Sequence, residues 1–212
     1  RSSDLLIPNY YSGDMSGEIY INGINSHEYS LEDISKISGS VFQNPKTQFF
    51  TVDTTSELAF ASENRGVPKT EIISKIRETV NLFNIENLLG KNIFSLSGGE
   101  KQRIACASVS VTDPDIIILD EPSSNLDKQS TKNLRTIIEL WKTQGKTIII
   151  AEHRLYYLRS LLDRIFYMES GKIVACYDDE NKFYEQHKSK IRPFNLTEYP
   201  TEPRGLMGTE AV

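Results

Sequence analysis

The sequence is poor in cysteine and contains no long hydrophobic run, and both absences narrow the classes of protein to which it can belong. Its two cysteines, Cys106 and Cys176, form neither a C-x-x-C pair nor a cysteine–histidine spacing. A disulfide framework and a cysteine-based zinc site are therefore excluded. No run of about 18 apolar residues is present, so no membrane-spanning helix is predicted, and no apolar segment follows Arg1 as it would in a signal peptide.

Positive charge is not in excess either. The sequence has 24 Lys and Arg against 29 Asp and Glu, a formal net charge of −5, and its basic residues are dispersed. A nucleic-acid surface usually carries a basic field or stripe, so no nucleic-acid partner is expected. The hydrophobic share of 38% and the charged share of 25% are ordinary for a globular protein of one large domain or slightly more.

The order of apolar runs and turn signals predicts an α/β fold. The apolar run at 116–119, a helix over 128–144 and the apolar run at 147–151 indicate a strand–helix–strand crossover in a parallel sheet. Turn signals bound further elements. We predict strands over 17–23 and 38–43, helices over 68–83 and 98–111, and a hairpin over 163–177 that turns at Ser170-Gly171. On the helix over 68–83, one apolar face is expected from Ile72, Ile73, Ile76, Val80 and Phe83.

Polar residues follow the predicted strands, at the edge where ligands bind in such sheets. Asp120 and Glu121 come directly after a buried run, where charge is disfavoured unless it is paired. One of the two carboxylates could support Mg²⁺ and the other could orient or deprotonate a water. The alternative is a solvated loop. Gln43 and His153 also follow strands, and each could equally be an ordinary structural residue.

Two helix starts have a second possible use. The segment 97–100, Ser-Gly-Gly-Glu, fits a capping box, in which Ser97 caps the helix and Glu100 reaches back. The glycine pair also allows close backbone approach, and a helix N-terminus attracts phosphate. Asp127 could simply cap the helix that begins at Lys128.

Taken in order, these motifs resemble those of the ATP-binding-cassette (ABC) ATPases. The matching pieces are the Q-loop, the signature motif, Walker B with the glutamate that follows it, the D-loop and the H-loop. In this sequence they are Gln43, 96–103 (LSGGEKQR), 116–122 (IIILDEP), 123–127 (SSNLD) and His153. The resemblance covers about residues 1–188 and implies bound ATP and Mg²⁺ as cofactors.

The resemblance implies a role for each residue beyond the strands. Glu121 matches the position that polarises the attacking water. Asp120 matches the residue that supports Mg²⁺, and Gln43 the one that reaches both Mg²⁺ and water. His153 matches the switch residue at the γ-phosphate. Glu121, His153 and Gln43 are therefore the implied catalytic residues, and Asp120 and Gln43 the implied metal-binding ones.

The resemblance also implies a partner cassette. Ser97, Gly98, Gly99 and Glu100 match the signature that contacts ATP bound on the opposite subunit, and Asp127 matches the D-loop residue that crosses the dimer interface. Two cassettes of the family close head-to-tail on two ATP molecules. The partner could be a second copy, a different cassette or a tandem cassette in one chain.

The implied fold is a P-loop NTPase-like cassette over residues 1–190, with a mostly parallel sheet core and an inserted helical subdomain at about 45–112. Residues 191–212, which contain Pro193, Pro200 and Pro203, are expected to be a tail or an inter-cassette linker. The segments 41–45, 57–60 and 152–155 resemble the energy-coupling-factor type, which imports vitamins or cobalt and nickel.

In that type, the segment 48–60 matches the region that meets the coupling helices of a transmembrane subunit. Phe49 and Phe50 would be anchors of that interface, or alternatively part of the subdomain core. The implied location is peripheral, at the cytoplasmic face of the cell membrane.

The phosphate-cradling motif of the family, G-x-x-x-x-G-K-[ST], is absent from the 212 residues. Only the Gly-Lys pair at 145–146 is followed by Thr, and Leu140 stands where the motif needs its first glycine. We expect a truncated form of a normal ATPase, in which residues 1–7 end the helix that follows the motif, because Glu121 and His153 are retained. The 212 residues alone are expected to bind ATP poorly and to be inactive.

Two other functions remain open from the sequence. A degenerate cassette would serve a regulatory, non-catalytic role. An ABC protein outside transport would act on ribosomes or DNA, although the acidic composition disfavours it.

Overall fold

The computed structural model describes residues 16–187, which divide after His153 into two compact units. The predicted helix end at 1–7 and the predicted tail at 191–212 lie outside the described residues. In the first unit the strands and helices are β1 (Tyr20–Ile21), β2 (Ile24–Asn25), α1 (Leu31–Ile37), β3 (Ser38–Val41), α2 (Thr54–Asn64), α3 (Lys69–Phe83), α4 (Gly98–Val111), β4 (Ile116–Asp120), α5 (Lys128–Thr143) and β5 (Thr147–Ala151). In the second unit they are β6 (Ile165–Glu169), β7 (Lys172–Tyr177) and α6 (Glu180–Gln186).

A parallel sheet in the order β3-β4-β5 forms the centre of the first unit. The predicted crossover is confirmed, since β4 and β5 pair in parallel with α5 between them. Ile117 and Leu119 on one face of β4 are completely buried, and Ile118 on the other face is only 7% exposed, as expected for a strand covered on both faces. Val41 of β3 pairs with Leu119, and Leu119 pairs with Ile150 of β5. The three strands therefore reach the same edge of the sheet at the same level.

Helix α4 is the central helix of this unit. It packs against α2, α3 and α5 and also against β3. Ile104, Ala105 and Cys106 in its middle are completely buried, and burial raises the pKa of the Cys106 thiol to about 12. Because α4 is held on several sides, the position of its first turn is fixed by the core.

The predicted helix α3 is present, but its expected apolar face was partly wrong. Ile72, Val80 and Phe83 are buried, whereas Ile73 is 46% exposed. Ile73 lies about 100° round the helix from Ile72, at the edge of the buried stripe. The polar Thr79, which lies on the same side of the helix as Ile72, is also buried.

Helices α1 and α2 were not predicted individually. The cap of α1 is a capping box between Ser30 and Asp33. In α2 only Leu58 among the apolar residues is fully buried, beside the polar Thr54, Glu57 and Ser62. A buried face made mostly of polar residues gives no apolar period to read.

The second unit contains the predicted hairpin. β6 and β7 are antiparallel, with a register shift between Tyr167 and Met168. The turn lies at Ser170 and Gly171, which both have positive φ. Phe183 of α6 is buried and meets the Tyr177 ring of β7 edge-on, with 5.4 Å between the ring centroids. An aromatic contact therefore joins the helix to the hairpin.

None of the helices within residues 16–187 has the length and apolar character needed to cross a lipid bilayer.

A hydrogen bond between α4 and α5 provides a test of the core. Trp141, the single tryptophan, is buried, and its indole Nε1–H donates to Ser110 Oγ at 2.8 Å. In Ser110→Ala that buried donor loses its partner, so we expect the free energy of unfolding to fall by about 1–2 kcal/mol. Urea unfolding followed by Trp141 fluorescence measures the loss.

The matched control is Ser108→Ala on the same helix. Ser108 Oγ donates to the Ala105 carbonyl of its own helix and links no second helix within the described residues, so we expect a change within about 0.5 kcal/mol. Equal urea midpoints for the two variants would contradict the assigned importance of the Trp141–Ser110 bond.

Candidate functional site

The three predicted catalytic residues meet at the carboxyl edge of the parallel sheet. Gln43 lies two residues beyond β3, Glu121 one residue beyond β4 and His153 two residues beyond β5. Gln43 Nε2 donates a hydrogen bond to Glu121 Oε2 at 2.7 Å. His153 Nε2 lies 3.4 Å from the other oxygen, Oε1. The structure thus brings both predicted neighbours onto the two oxygens of one carboxylate.

The backbone of Glu121 turns sharply at this point. Its φ is +44°, in the left-handed region that few residues other than glycine adopt. Its N–H still donates to the Ala151 carbonyl at 2.8 Å, which extends the β4–β5 ladder by one bond. The Glu121 side chain therefore leaves the strand alternation and lies across the sheet edge.

The Glu121 and His153 side chains differ strongly in solvent exposure. The side chain of Glu121 is 23% exposed, whereas that of His153 is 85% exposed. An imidazole so open to solvent can rotate without breaking core contacts. Glu121 is thus firmly held on the Gln43 side and loosely contacted on the His153 side.

Asp120 is the last residue of β4 and pairs in register with Ala151. It is half-buried at the sheet edge, next to Glu121. Within residues 16–187 no three His, Cys, Asp or Glu side chains come together as a site that could hold a metal ion by themselves. Mg²⁺ is usually bound by one or two carboxylates together with water and substrate phosphates, so Asp120 with the Gln43 amide fits that kind of site.

The predicted capping box at the start of α4 is formed. Ser97 Oγ accepts from the Glu100 N–H at 3.3 Å, and Glu100 Oε2 accepts from the Ser97 N–H at 2.8 Å. The hydrogen bonds from the Ser97 side chain and backbone lower the pKa of the Glu100 carboxyl. The carboxylate of Glu100 is therefore committed to its own helix, while Ser97 and Gly98 are exposed at the surface.

The predicted cap at Asp127 is also formed. Asp127 Oδ1 accepts from the Ser130 N–H at 2.7 Å at the start of α5. That bond lowers the pKa of the Asp127 carboxyl. Asp127 itself is exposed.

The loop between Glu121 and Asp127 is built from tight turns. The Ser124 N–H donates to the Glu121 carbonyl and the Leu126 N–H to the Ser123 carbonyl, each at 3.1 Å. A cavity of about 510 Å³ is lined by this loop together with the Gln43 loop and the first turn of α4. The predicted Q-loop, signature and D-loop thus face one cavity.

Two residues of this region were missed by the sequence reasoning. Glu152 Oε2 accepts from the Ser123 N–H at 3.3 Å, and its Oε1 accepts from the His153 N–H at 2.8 Å, so one carboxylate ties the loop after β4 to the loop after β5. Lys101 is buried, and its Nζ donates to the Leu96 carbonyl and, at 3.3 Å, to the Phe94 carbonyl. The only signals were a carboxylate at a strand end and a lysine within the signature helix.

Comparison with known proteins agrees with this geometry. The family described as ABC transporter matches residues 5–124. An ABC transporter ATP-binding protein of Treponema denticola is 48% identical over 191 residues, which is 90% of this chain and 39% of that protein. One from Pyrococcus abyssi is 38% identical over 179 residues, covering 84% of this chain and 64% of the relative. The chain therefore spans about two fifths of the Treponema relative's length.

A solved structure shows the same fold. CbiO1 from Clostridium perfringens, described as part of the ABC transporter complex CbiONQ, superposes with a TM-score of 0.72 at 30% sequence identity. The match covers 82% of this chain and 71% of CbiO1. It confirms the predicted P-loop cassette fold with a parallel sheet core. Motifs, geometry and family match agree, and the chain belongs to the ABC transporter family as one of its ATP-binding cassettes.

Proposed function

We propose that this chain is the ATP-hydrolysing cassette of an importer of the energy-coupling-factor type. The observation that carries the proposal is the Glu121 carboxylate, contacted by Gln43 and His153 at the carboxyl edge of the sheet. A carboxylate held in this way can accept a proton from a water and orient it for attack on a phosphate. The likeness to CbiO1, a part of the CbiONQ complex, supports the importer type.

The two oxygens of Glu121 have different tasks in this proposal. Oε2 accepts from Gln43 Nε2, which fixes the plane of the carboxylate. Oε1 faces His153, whose exposed ring is free to respond to a phosphate. The fixed oxygen orients the group, and the open oxygen holds the water.

ATP and Mg²⁺ fit the residues around this carboxylate. Asp120 and Gln43 would hold Mg²⁺, partly through water, and the ion would neutralise charge on the phosphates. Ser97, Gly98 and Gly99 at the N-terminus of α4 would meet ATP held by a second cassette, since a helix N-terminus offers N–H groups and a positive dipole end to phosphate. The partner cassette is a second copy, a different chain or a tandem domain.

A Glu121→Gln substitution tests this role. The amide keeps the size of the side chain but cannot accept a proton from water, so we expect ATP turnover to fall by about 10²-fold or more. ATP binding should persist. The assay measures phosphate release by the product of the whole gene, with the 212-residue chain in parallel, because these 212 residues contain no G-x-x-x-x-G-K-[ST] segment.

Glu139→Gln serves as the control for that assay. Glu139 pairs with Arg135 on α5, away from the sheet edge, and its loss should leave turnover unchanged. If Glu121→Gln keeps wild-type turnover, the assigned role is wrong.

An exposed aromatic surface supports a transmembrane partner. The Phe50 ring is 75% exposed and stacks on Phe60 of α2, with 4.8 Å between centroids and 11° between planes. Val52 and Phe94 are also exposed, and the Ile93 N–H bonds the Val52 carbonyl, which places their segments side by side. We call Phe50, Phe60 and Phe94, together with the apolar Val52, the aromatic surface. The alternative of subdomain core is wrong for Phe50, while Phe49 is half-buried.

A buried carboxylate holds Phe50 in this outward position. Glu57 is almost completely buried, and its Oε2 accepts from the backbone N–H groups of Phe50 and Thr51 at 3.1 and 2.9 Å. Thr51 Oγ1 donates to the same oxygen at 3.0 Å. The loop is thus fixed before any partner binds, which reduces the entropy lost on docking.

We assign this surface to a coupling helix of a transmembrane subunit, because large apolar side chains held rigidly in the open are typical of interface anchors. The chain would then act peripherally at the cytoplasmic face of the membrane. The transported solute in this proposal is a vitamin or a transition-metal ion such as cobalt, selected by a separate membrane subunit.

The interface is tested by Phe50→Ala in the complex purified from membranes through a tag on this chain. Loss of an anchor should weaken binding of the transmembrane subunit about tenfold or more. The measurement is the amount of that subunit retained per chain. Leu82→Ala, which removes another exposed apolar side chain on α3, is the control. Equal retention by both variants, or recovery of the chain with ribosomes, would contradict the proposed partner.

A further inference from the structure

Two helix N-termini are pressed together beside the site. Gly99 is the second residue of α4, and Ser130 is the third residue of α5. A Cβ added at Gly99 would overlap Ser130 Oγ and would stand 2.7 Å from Ser130 Cβ. Real Cβ atoms almost never come so close to another carbon. The first turns of the two helices therefore touch at a point where only a glycine fits.

The neighbouring glycine is different. A Cβ added at Gly98 would meet nothing nearer than the Asn125 carbonyl oxygen at 3.7 Å, an ordinary contact. Within a helix, glycine is less favourable than alanine by about 0.5–1 kcal/mol. Packing against Ser130 therefore explains why position 99 is a glycine, whereas no packing contact explains the glycine at position 98.

Each of the two touching residues lies in the first turn of a helix with a side-chain N-cap. Gly99 is enclosed in the capping box between Ser97 and Glu100. The N–H of Ser130 donates to Asp127 Oδ1 at 2.7 Å. A contact between Gly99 and Ser130 therefore sets the distance between the signature motif and the loop that ends at Asp127.

We propose that the close packing between Gly99 and residue 130 positions the signature motif against the D-loop, so that both meet an opposing cassette as one unit. The inference rests on the proposed function, since the signature and the D-loop act there across a dimer. It adds that Gly99 is a glycine because of this chain's own Ser130, besides any approach of nucleotide. A side chain at Gly99 would push the signature away from α5 before ATP arrives.

The test asks whether Ser130→Gly suppresses the loss of Tm caused by Gly99→Ala, with both variants made in the product of the whole gene. Gly99→Ala should lower the Tm by about 4 °C or more, because overpacking a close contact is destabilising. Adding Ser130→Gly removes both clashing atoms, so Gly99→Ala in the S130G background should no longer lower the Tm. Ser130→Ala removes only Oγ and should relieve the effect in part. Gly98→Ala is the matched control and should not lower the Tm.

Kinetics separate positioning from stability alone. Gly99→Ala should raise the KM for ATP at least threefold at a temperature where the variant is folded, and S130G should restore the KM together with the Tm. If S130G restores the Tm but not the KM, Gly99 serves nucleotide approach only and the positioning role is overturned. If S130G restores neither, the contact itself is refuted.

The outcome also distinguishes this inference from the proposed function. If the unsubstituted protein shows no ATP turnover, the proposed function fails and the positioning role fails with it. The Tm series still decides the Gly99–Ser130 contact in that case, because it needs no nucleotide.

Discussion

Parallel pairing of β3, β4 and β5 is the constraint on which the site depends. Val41, Leu119 and Ile150 lie at one level across the sheet, so the residues just beyond the strands are brought within hydrogen-bonding reach. Ile117 and Leu119 on one face of β4 and Ile118 on the other are buried. A slip in register that moved Asp120 into the buried position of Leu119 would bury an unpaired charge, so it is disfavoured. The apolar core thus determines the distance between side chains that take no part in it.

The backbone of Glu121 leaves the strand conformation directly after β4. A left-handed conformation at a residue other than glycine costs about 1–3 kcal/mol and persists only where the surroundings enforce it. Here the N–H is held by the Ala151 carbonyl and the C=O by the Ser124 N–H. An extended Glu121 would lie on the opposite face of the sheet from Asp120. The turn instead directs the carboxylate to Gln43, so the backbone strain and the proposed catalytic geometry have the same origin.

The sequence predicts those helices and strands whose apolar residues form a continuous run or recur with the period of the element. β4, α5, β5, α3 and α4 follow from such runs, whereas α2 buries Thr54 and Glu57 and leaves no period to detect. The site was predicted as a set of residues by their order along the chain, but their contacts were not. The bond from Ser123 to Glu152 joins positions far apart in sequence, and the contact of Gly99 with Ser130 depends on how two helices pack. Such contacts arise only from the tertiary fold.

The capping and ligand interpretations of the signature turn out to be compatible. The first four N–H groups of a helix lack partners within it. In α4 the capping box engages the N–H groups of Ser97 and Glu100 and does not use those of Gly98 and Gly99. These two amides belong to residues without a Cβ, so nothing on their own side chains hinders an approaching phosphate. The cap fixes the direction of the turn and leaves its two central donors outside the capping bonds, so one short motif can serve both the fold and the proposed nucleotide site.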